Sequence, residues 1–99
     1  MLTTAVKMCI AAPKSNVVID NSTVTLGSYL RNSGTLTLNN DSVLTGSTIQ
    51  FGENGGNNGA ITVDNSSFTI VAGSTGHAFD GKDIGSITAQ NGATVAVDY

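Results

Sequence analysis

Apolar and polar residues alternate along most of the chain, and one ten-residue phrase that occurs four times carries this alternation. The phrase reads VVIDNSTVTL from Val17, LTLNNDSVLT from Leu36, ITVDNSSFTI from Ile61 and ITAQNGATVA from Ile87. A period of two with many β-branched residues predicts a strand, a turn and a second strand in each copy. Successive copies begin 19, 25 and 26 residues apart, which is a spacing typical of solenoids rather than of helical repeats.

The fifth position of the phrase predicts a sharp turn at the same place in every copy. It is always asparagine: Asn21, Asn40, Asn65 and Asn91. Asparagine tolerates the left-handed backbone conformation, so it can reverse the chain direction within a few residues. If the copies stack, these four residues form a structural ladder whose amides bond one another and the turn backbone.

The eighth position predicts which residues of the second strand point inward. It is apolar in the first three copies, where Val24, Val43 and Phe68 occupy it. In the fourth copy the position holds Thr94, and Val95 follows it. We therefore expect the second strand of that copy to be displaced by one residue.

A third strand is predicted after a glycine in each of the first three copies. The candidates are SYL from Ser28, STIQF from Ser47 and HAF from His77. Loops of different length then close each turn, and this explains the change in period. The pattern predicts an all-β fold over residues 15–99, a parallel β-solenoid of about four coils with three short strands per coil, stacked about 4.8 Å apart. An antiparallel sandwich is the competing arrangement, but it does not require the same phrase in the same phase.

Residues 1–14 differ from the repeats and are predicted to be a capping or non-repeat segment, folded as a short strand or helix. They contain neither Gly nor Asn, and Pro13 ends the segment. Lys7 interrupts the apolar stretch and no basic residue precedes it, so we do not expect an intact signal peptide. The single cysteine, Cys9, is interpreted as a small buried hydrophobe.

Composition excludes several functional classes. Thr, Ser, Asn and Gly account for 45 of the 99 residues, and only 11% are charged. Four basic residues and a net charge of −3 argue against nucleic-acid binding, which needs clustered Lys and Arg. No run of 18 apolar residues is present, so insertion of this segment into a membrane is not expected.

Two stretches carry a resemblance to a known family. GTLTLNNDSVLTG, residues 34–46, and GAITVDNSSFTIVAG, residues 59–73, are similar to rungs of right-handed parallel β-helices. In their residue pattern they look most like passenger regions of bacterial autotransporters and related adhesin repeats. The resemblance implies a right-handed solenoid with no cofactor that is secreted or displayed at the cell surface and serves adhesion or acts as a stalk.

The same resemblance implies what the segment contacts. A host-surface protein or glycan, or further coils of the same protein, are the expected partners. Little sequence follows the fourth copy, and solenoid ends need caps. We therefore expect a piece of a longer passenger attached to the outer membrane through its parent protein, or a segment that associates end to end.

The alternative function is a polysaccharide-binding or polysaccharide-cleaving β-helix similar to pectate lyases. Its candidate carbohydrate or calcium site is Asp20, Asp41 and Asp64. Stacking would place Asp20 and Asp64 about 9–10 Å apart, at the outer limit for an inverting carboxylate pair. Asp next to Asn is also ordinary turn chemistry, and that interpretation predicts no catalytic residue here.

The remaining polar features are predicted to be loops and edges rather than sites. His77 has no recognisable partner for metal binding, and we interpret it as a surface or edge residue. Residues 52–59 lack the ending of a phosphate-binding loop, and Asp80–Gly85 lacks the later acids of a calcium loop. Both loops are expected to project from one edge of the solenoid, beside Tyr29, Phe51 and Phe79.

Overall fold

The described part of the chain consists of short β-strands. The computed structural model describes residues 2–5, 8–10, 15–27, 29–32, 34–51, 59–71 and 85–98. The strands are β1 Leu2–Ala5, β2 Met8–Ile10, β3 Asn16–Asp20, β4 Thr23–Leu26, β5 Tyr29–Asn32, β6 Thr35–Asn39, β7 Val43–Gly46, β8 Thr48–Phe51, β9 Gly59–Asp64, β10 Ser67–Val71, β11 Gly85–Gln90 and β12 Thr94–Asp98. These ranges contain no helix, and hence none long and apolar enough to span a membrane.

The strands form three sheets in which every pairing is parallel. The sheets have the orders β1-β4-β7-β10-β12, β11-β9-β6-β3 and β2-β5-β8. Strands that follow one another along the chain lie in different sheets, and each strand pairs with the equivalent strand of a neighbouring copy. The predicted all-β class with parallel pairing is confirmed, and the antiparallel sandwich is wrong.

The first strands of the four copies align as the phrase predicts. Val17 pairs with Leu36, Leu36 with Ile61 and Ile61 with Ile87. The first position of the phrase therefore forms one continuous column across four strands. Two residues later, Ile19, Leu38 and Val63 form a second column, which Ala89 extends.

The prediction for Val43 was wrong, because the turn of the second copy holds one extra residue. Val24 pairs with Leu44, and Leu44 pairs with Phe68. Leu44 is fully buried, whereas Val43 is only half-buried. The one-residue displacement expected in the fourth copy is confirmed, since Val95 pairs with Phe68. Both longer turns absorb the extra residue at positive φ, Asp41 at 64° and Gly92 at 78°.

The opening segment adds strands to two of the sheets. β1 pairs with β4, and β2 pairs with β5. Ile10 of β2 is 3% exposed and belongs to the core. The third-strand predictions match β5 and β8 in location, while residues 77–79 lie outside the described ranges.

Inward-facing residues of all three sheets build a single core. Its members are Ile10, Ile19, Val24, Leu26, Leu30, Leu36, Leu38, Leu44, Ile61, Val63, Phe68 and Ile70. Burial alternates along the strands, so β9 and β10 place every second side chain inside. This is the arrangement that a period-two pattern produces when one face of a sheet is buried.

A buried asparagine holds the turn that leads from β5 back to β6. The Asn32 side chain is fully buried, donates to the Ala60 carbonyl at 3.0 Å and accepts from the Gly34 N–H at 3.0 Å. A Cβ on Gly59 would lie 2.0 Å from the Asn32 carbonyl oxygen. Glycine is therefore needed at position 59, because the backbones of two copies approach too closely for any side chain.

We predict that Gly59→Ala destabilises the fold by about 3 kcal/mol, because backbone must move to admit the methyl group. The measurement is the free energy of unfolding in urea. Gly46→Ala is the matched control, since a Cβ there would make ordinary side-chain contacts, at 3.4 Å to the end of Ile70 and 3.7 Å to the end of Leu26. Equal losses in the two variants would contradict the close approach at Gly59.

The corrected alignment of the second copy gives a separate prediction. Leu44→Ala should cost about 2–5 kcal/mol, because it removes a buried side chain and leaves a cavity. Val43→Ala should cost about 1 kcal/mol or less, since that side chain is only half-buried. The measurement is again the free energy of unfolding in urea. A larger loss of stability in Val43→Ala than in Leu44→Ala would show that Val43, as the ungapped alignment predicts, is the inward residue.

Candidate functional site at the asparagine turns

The four asparagines occupy equivalent turns between the first and second strands. Each has a positive φ: 48° at Asn21, 55° at Asn40, 48° at Asn65 and 55° at Asn91. Residues with a Cβ rarely adopt this conformation, and asparagine is among those that tolerate it best. The structure thus places all four members of the predicted ladder at the same corner.

Backbone hydrogen bonds join these turns from one copy to the next. The Asn21 N–H donates to the Asn39 carbonyl at 3.1 Å, and the Asn65 N–H donates to the Gln90 carbonyl at 3.1 Å. The Asp41 N–H donates to the Asn65 carbonyl at 2.9 Å. Hydrogen bonding between copies therefore continues around the corner.

The side-chain amides of the asparagines reach carboxylates of the preceding copy. Asn40 Nδ2 donates to Asp20 Oδ1 at 2.6 Å, and Asn91 Nδ2 donates to Asp64 Oδ1 at 2.7 Å. Gln90 Nε2 adds a contact of 3.3 Å to Asp64 Oδ2. These are hydrogen bonds to ionised acceptors, which are stronger than bonds between neutral groups. Asp20 and Asp64 thereby connect successive copies.

A second column, of serine residues, lies directly behind the asparagines. The Ser22 N–H donates to Ser42 Oγ at 3.1 Å, and the Ser42 N–H donates to Ser66 Oγ at 3.1 Å. Ser42 is fully buried, and Ala93 takes the equivalent place in the fourth copy. Each of these hydroxyls accepts a backbone N–H of the preceding copy that would otherwise be left without a partner.

The serine hydroxyls also donate to carbonyl groups at the ends of the first strands. Ser42 Oγ lies 2.7 Å from the Asn39 carbonyl and 3.0 Å from the Ile19 carbonyl. Ser66 Oγ donates to the Asp64 carbonyl at 2.9 Å. Sequence reasoning missed this column, because the serine follows asparagine directly in two copies and one residue later in the second copy. An alignment that allowed a one-residue gap would have found it.

The three candidate aspartates do not gather into one site. Asp20 pairs with Asn39, and the next strand carries Asp64 one position beyond the Leu38–Val63 pair. Asn39 therefore separates the two carboxylates, which lie two strands apart, about 9–10 Å. Asp41 lies on the other side of the turn. Within the described ranges no three His, Cys, Asp or Glu residues are grouped so that they could hold a metal ion.

An open depression of about 250 Å³ lies at this corner. It spans the short turn of the third copy and the turns on either side, each of which is one residue longer. Its lining is Asp41, Ser42, Val43, Asn65, Ser66, Ser67 and Gly92. Asp41 and Asn65 are exposed there, so one carboxylate and one amide face a small polar cleft.

Asn39 has a side-chain oxygen that lacks a hydrogen-bond donor. Its Oδ1 is buried and has no hydrogen-bond partner among the described residues. A buried carbonyl oxygen without a partner lowers stability.

The other residues singled out in the sequence lie either outside the described ranges or in strands away from the asparagine turns. Residues 52–58 and 72–84, which include His77 and Phe79 and most of both long loops, lie outside the described ranges. Cys9 is paired with Arg31 in the strand register. Tyr29 and Phe51 are members of β5 and β8.

Comparison with known proteins gives no relative. No family model, curated protein or solved structure matches the chain. The corner must therefore be interpreted from its own geometry.

We predict that Ser42→Ala destabilises the fold by about 1–3 kcal/mol, because the Ser22 N–H and the two carbonyls beside Ser42 Oγ lose a buried partner. Ser22→Ala is the matched control and should cost about 1 kcal/mol or less, since among the described residues Ser22 Oγ bonds the Asp20 carbonyl at an exposed site. Urea unfolding of both variants is the measurement. A neutral Ser42→Ala would show that the serine column does not stabilise the corner.

Proposed function

We propose that the chain is a noncatalytic structural or adhesive segment of a right-handed parallel β-solenoid, secreted or displayed at the cell surface. One observation carries the proposal: consecutive strands alternate among three parallel sheets, and each pairs with its equivalent one copy later. A chain that winds through about four coils, with three strands per coil, produces this pairing. The resemblance of residues 34–46 and 59–73 to autotransporter passengers supplies the expected class.

The contacts between copies suit a stiff spacer. Each copy bonds mainly to its two neighbours, through ladders, asparagine–aspartate bonds and buried serines. Stability is then built up copy by copy, and repeats of this kind extend without a change of cross-section. A stalk or passenger requires this property more than it requires a reactive group.

The outward faces offer hydroxyl and methyl groups instead of charges. Thr4, Thr25, Thr45 and Thr69 form one outward column, in which Ala96 is the fifth member. A second column runs from Val18 through Thr37 and Thr62 to Thr88. Such faces hydrogen-bond neutral partners, and a host-surface glycan or protein fits them better than a polyanion does.

We propose that adhesion depends on residues 52–58, which join β8 to β9 and which the sequence predicts to be a loop longer than its equivalent in the first copy. The experiment compares the chain with a variant in which residues 53–58 are deleted, on arrays of immobilised glycans and on cultured host cells. We expect the deletion to keep the β-type circular dichroism spectrum and to lose binding. Thr37→Ser, on an outward strand position, is the control that should retain it. Equal binding by both chains would contradict the dependence on residues 53–58, and no binding by the full chain would contradict the adhesive role.

The alternative, a polysaccharide-cleaving β-helix, is favoured by the open depression that Asp41 and Asn65 line. Its test is the triple variant Asp20→Asn, Asp41→Asn and Asp64→Asn, assayed beside the unchanged chain for calcium-dependent cleavage of pectic and related polysaccharides. The noncatalytic proposal expects no cleavage by either. If the unchanged chain cleaves a polysaccharide and the triple variant does not, the enzymatic function replaces the noncatalytic one. The comparison is specific, because asparagine side chains can keep the turn hydrogen bonds but lack the carboxylates.

A further inference from the structure

Three of the four turn asparagines begin a tripeptide of the form Asn-x-Ser/Thr in which x is not proline. These tripeptides start at Asn21, Asn40 and Asn65 and read NST, NDS and NSS, whereas the one at Asn91 reads NGA. Asn-x-Ser/Thr is the acceptor for N-linked glycosylation, in which a sugar is attached to the amide nitrogen of the asparagine. Because Asn, Ser and Thr are abundant in this chain, the accessibility of each amide decides whether a match has chemical meaning.

The tripeptide at Asn40 is engaged in contacts within the fold. Asn40 Nδ2 donates to Asp20 Oδ1 at 2.6 Å, so a carboxylate of the preceding copy holds the amide nitrogen. The hydroxyl residue of this tripeptide, Ser42, is fully buried, and its Oγ donates to the Asn39 carbonyl at 2.7 Å. A glycosyltransferase would have to break these bonds to use Asn40 as an acceptor.

Asn65 differs from Asn40 in the side chain that the preceding copy places next to it. Asn39 occupies the position in the second copy that Asp20 occupies in the first. Asn39 Oδ1 has no hydrogen-bond partner among the described residues, so Asn65 Nδ2 does not donate to it. The Asn65 amide therefore lacks the carboxylate contact that holds Asn40.

The whole tripeptide at Asn65 borders the open depression of about 250 Å³. Asn65 is exposed, and Ser67 is half-buried at the first position of β10. Acceptors of this kind are used where they lie on surface turns, and Asn65 lies on a turn with a φ of 48°. A sugar donor can thus reach the Asn65 amide from solvent without a change in the fold.

We propose that Asn65 is an N-glycosylation acceptor in the folded chain and that its first sugar lies at the depression. The co-substrate is a sugar activated at its anomeric carbon by a diphosphate, for example a nucleoside-diphosphate hexose. Asn65 Nδ2 forms a bond to the anomeric carbon and gives up one proton to a base of the transferase. The bond from that carbon to the diphosphate oxygen breaks, and the nucleoside diphosphate leaves with the electron pair.

The surroundings of Asn65 suit an attached sugar. Asp41 lines the same depression, is exposed, and donates its backbone N–H to the Asn65 carbonyl at 2.9 Å. Its carboxylate can accept charge-assisted hydrogen bonds from sugar hydroxyls. N-linked sugars are typical of surface segments in secreted chains, and in this respect the inference rests on the proposed function.

The test supplies the folded chain with a soluble N-glycosyltransferase that transfers one hexose from a nucleoside-diphosphate hexose to Asn-x-Ser/Thr. The chain carries Thr23→Val, which removes the first tripeptide and leaves those at Asn40 and Asn65. Two unfolded peptides, residues 36–46 and 61–71, give the transfer rate of each tripeptide outside the fold. Intact and peptide masses report how many sugars are attached and to which asparagine.

We expect one hexose per folded chain, attached to Asn65 at a rate close to that of its peptide. Transfer to Asn40 should be at least about tenfold slower in the folded chain than in its peptide, because a hydrogen bond to a charged group must first break.

Ser67→Ala and Ser67→Thr are the matched variants that test whether the tripeptide is read. Ser67→Ala removes the hydroxyl and should abolish transfer to Asn65. Ser67→Thr keeps the hydroxyl and should retain transfer, and threonine suits this strand position because Thr94 pairs with Ser67 in the next copy. Circular dichroism of both variants should keep the β-type spectrum of the unchanged chain.

Several outcomes would overturn the proposal. A folded chain that receives no sugar at Asn65 would do so, whether or not the peptides are modified. Transfer to Asn40 and Asn65 in the ratio found for the peptides would show that the fold does not select Asn65. Transfer to Asn65 that survives Ser67→Ala would show that the tripeptide is not what the enzyme reads. Since attachment is measured by mass and not by binding to glycans or cells, each of these results leaves the adhesive role standing.

Discussion

Parallel pairing between successive copies is the constraint on which the rest of the molecule depends. Neighbouring strands lie about 4.8 Å apart, so a residue in one copy lies directly over its equivalent in the next. Each inward column of the core must then be apolar along its length. Aliphatic residues satisfy this at the first position of the phrase, from Val17 to Ile87. A polar side chain in such a column is tolerated only where its neighbours can hydrogen-bond to it.

The asparagine corner shows how polar groups meet this constraint. A sharp turn must leave some N–H and carbonyl groups without strand partners, and the repeat supplies side chains to replace them. Asn40 and Asn91 donate to carboxylates of the preceding copy, while Ser42 and Ser66 accept backbone N–H groups. Asp20 and Asp64, two of the three acids considered for catalysis, therefore take part in holding the turns together. Asp41 differs, because it faces the open depression.

The turn at this corner differs in length from copy to copy. An extra residue at positive φ, Asp41 or Gly92, lengthens the turn without displacing the strands on either side. The inserted residue moves outward, and the register of the core is recovered at Leu44 and Val95. Surface shape can thus change from copy to copy while the interior stays periodic, which is how a regular scaffold can present an irregular surface.

The sequence by itself determined the parallel all-β class, the equivalence of the four copies and the left-handed asparagines. All three follow from local periodicity and from residue types with few allowed conformations. Only the tertiary structure decided that Leu44 rather than Val43 is buried, that serines satisfy the corner, and that Gly59 admits no side chain beside Asn32. These features depend on contacts between residues about 20 to 28 positions apart. A local pattern does not contain them, because the geometry of one turn is settled by the copy stacked against it.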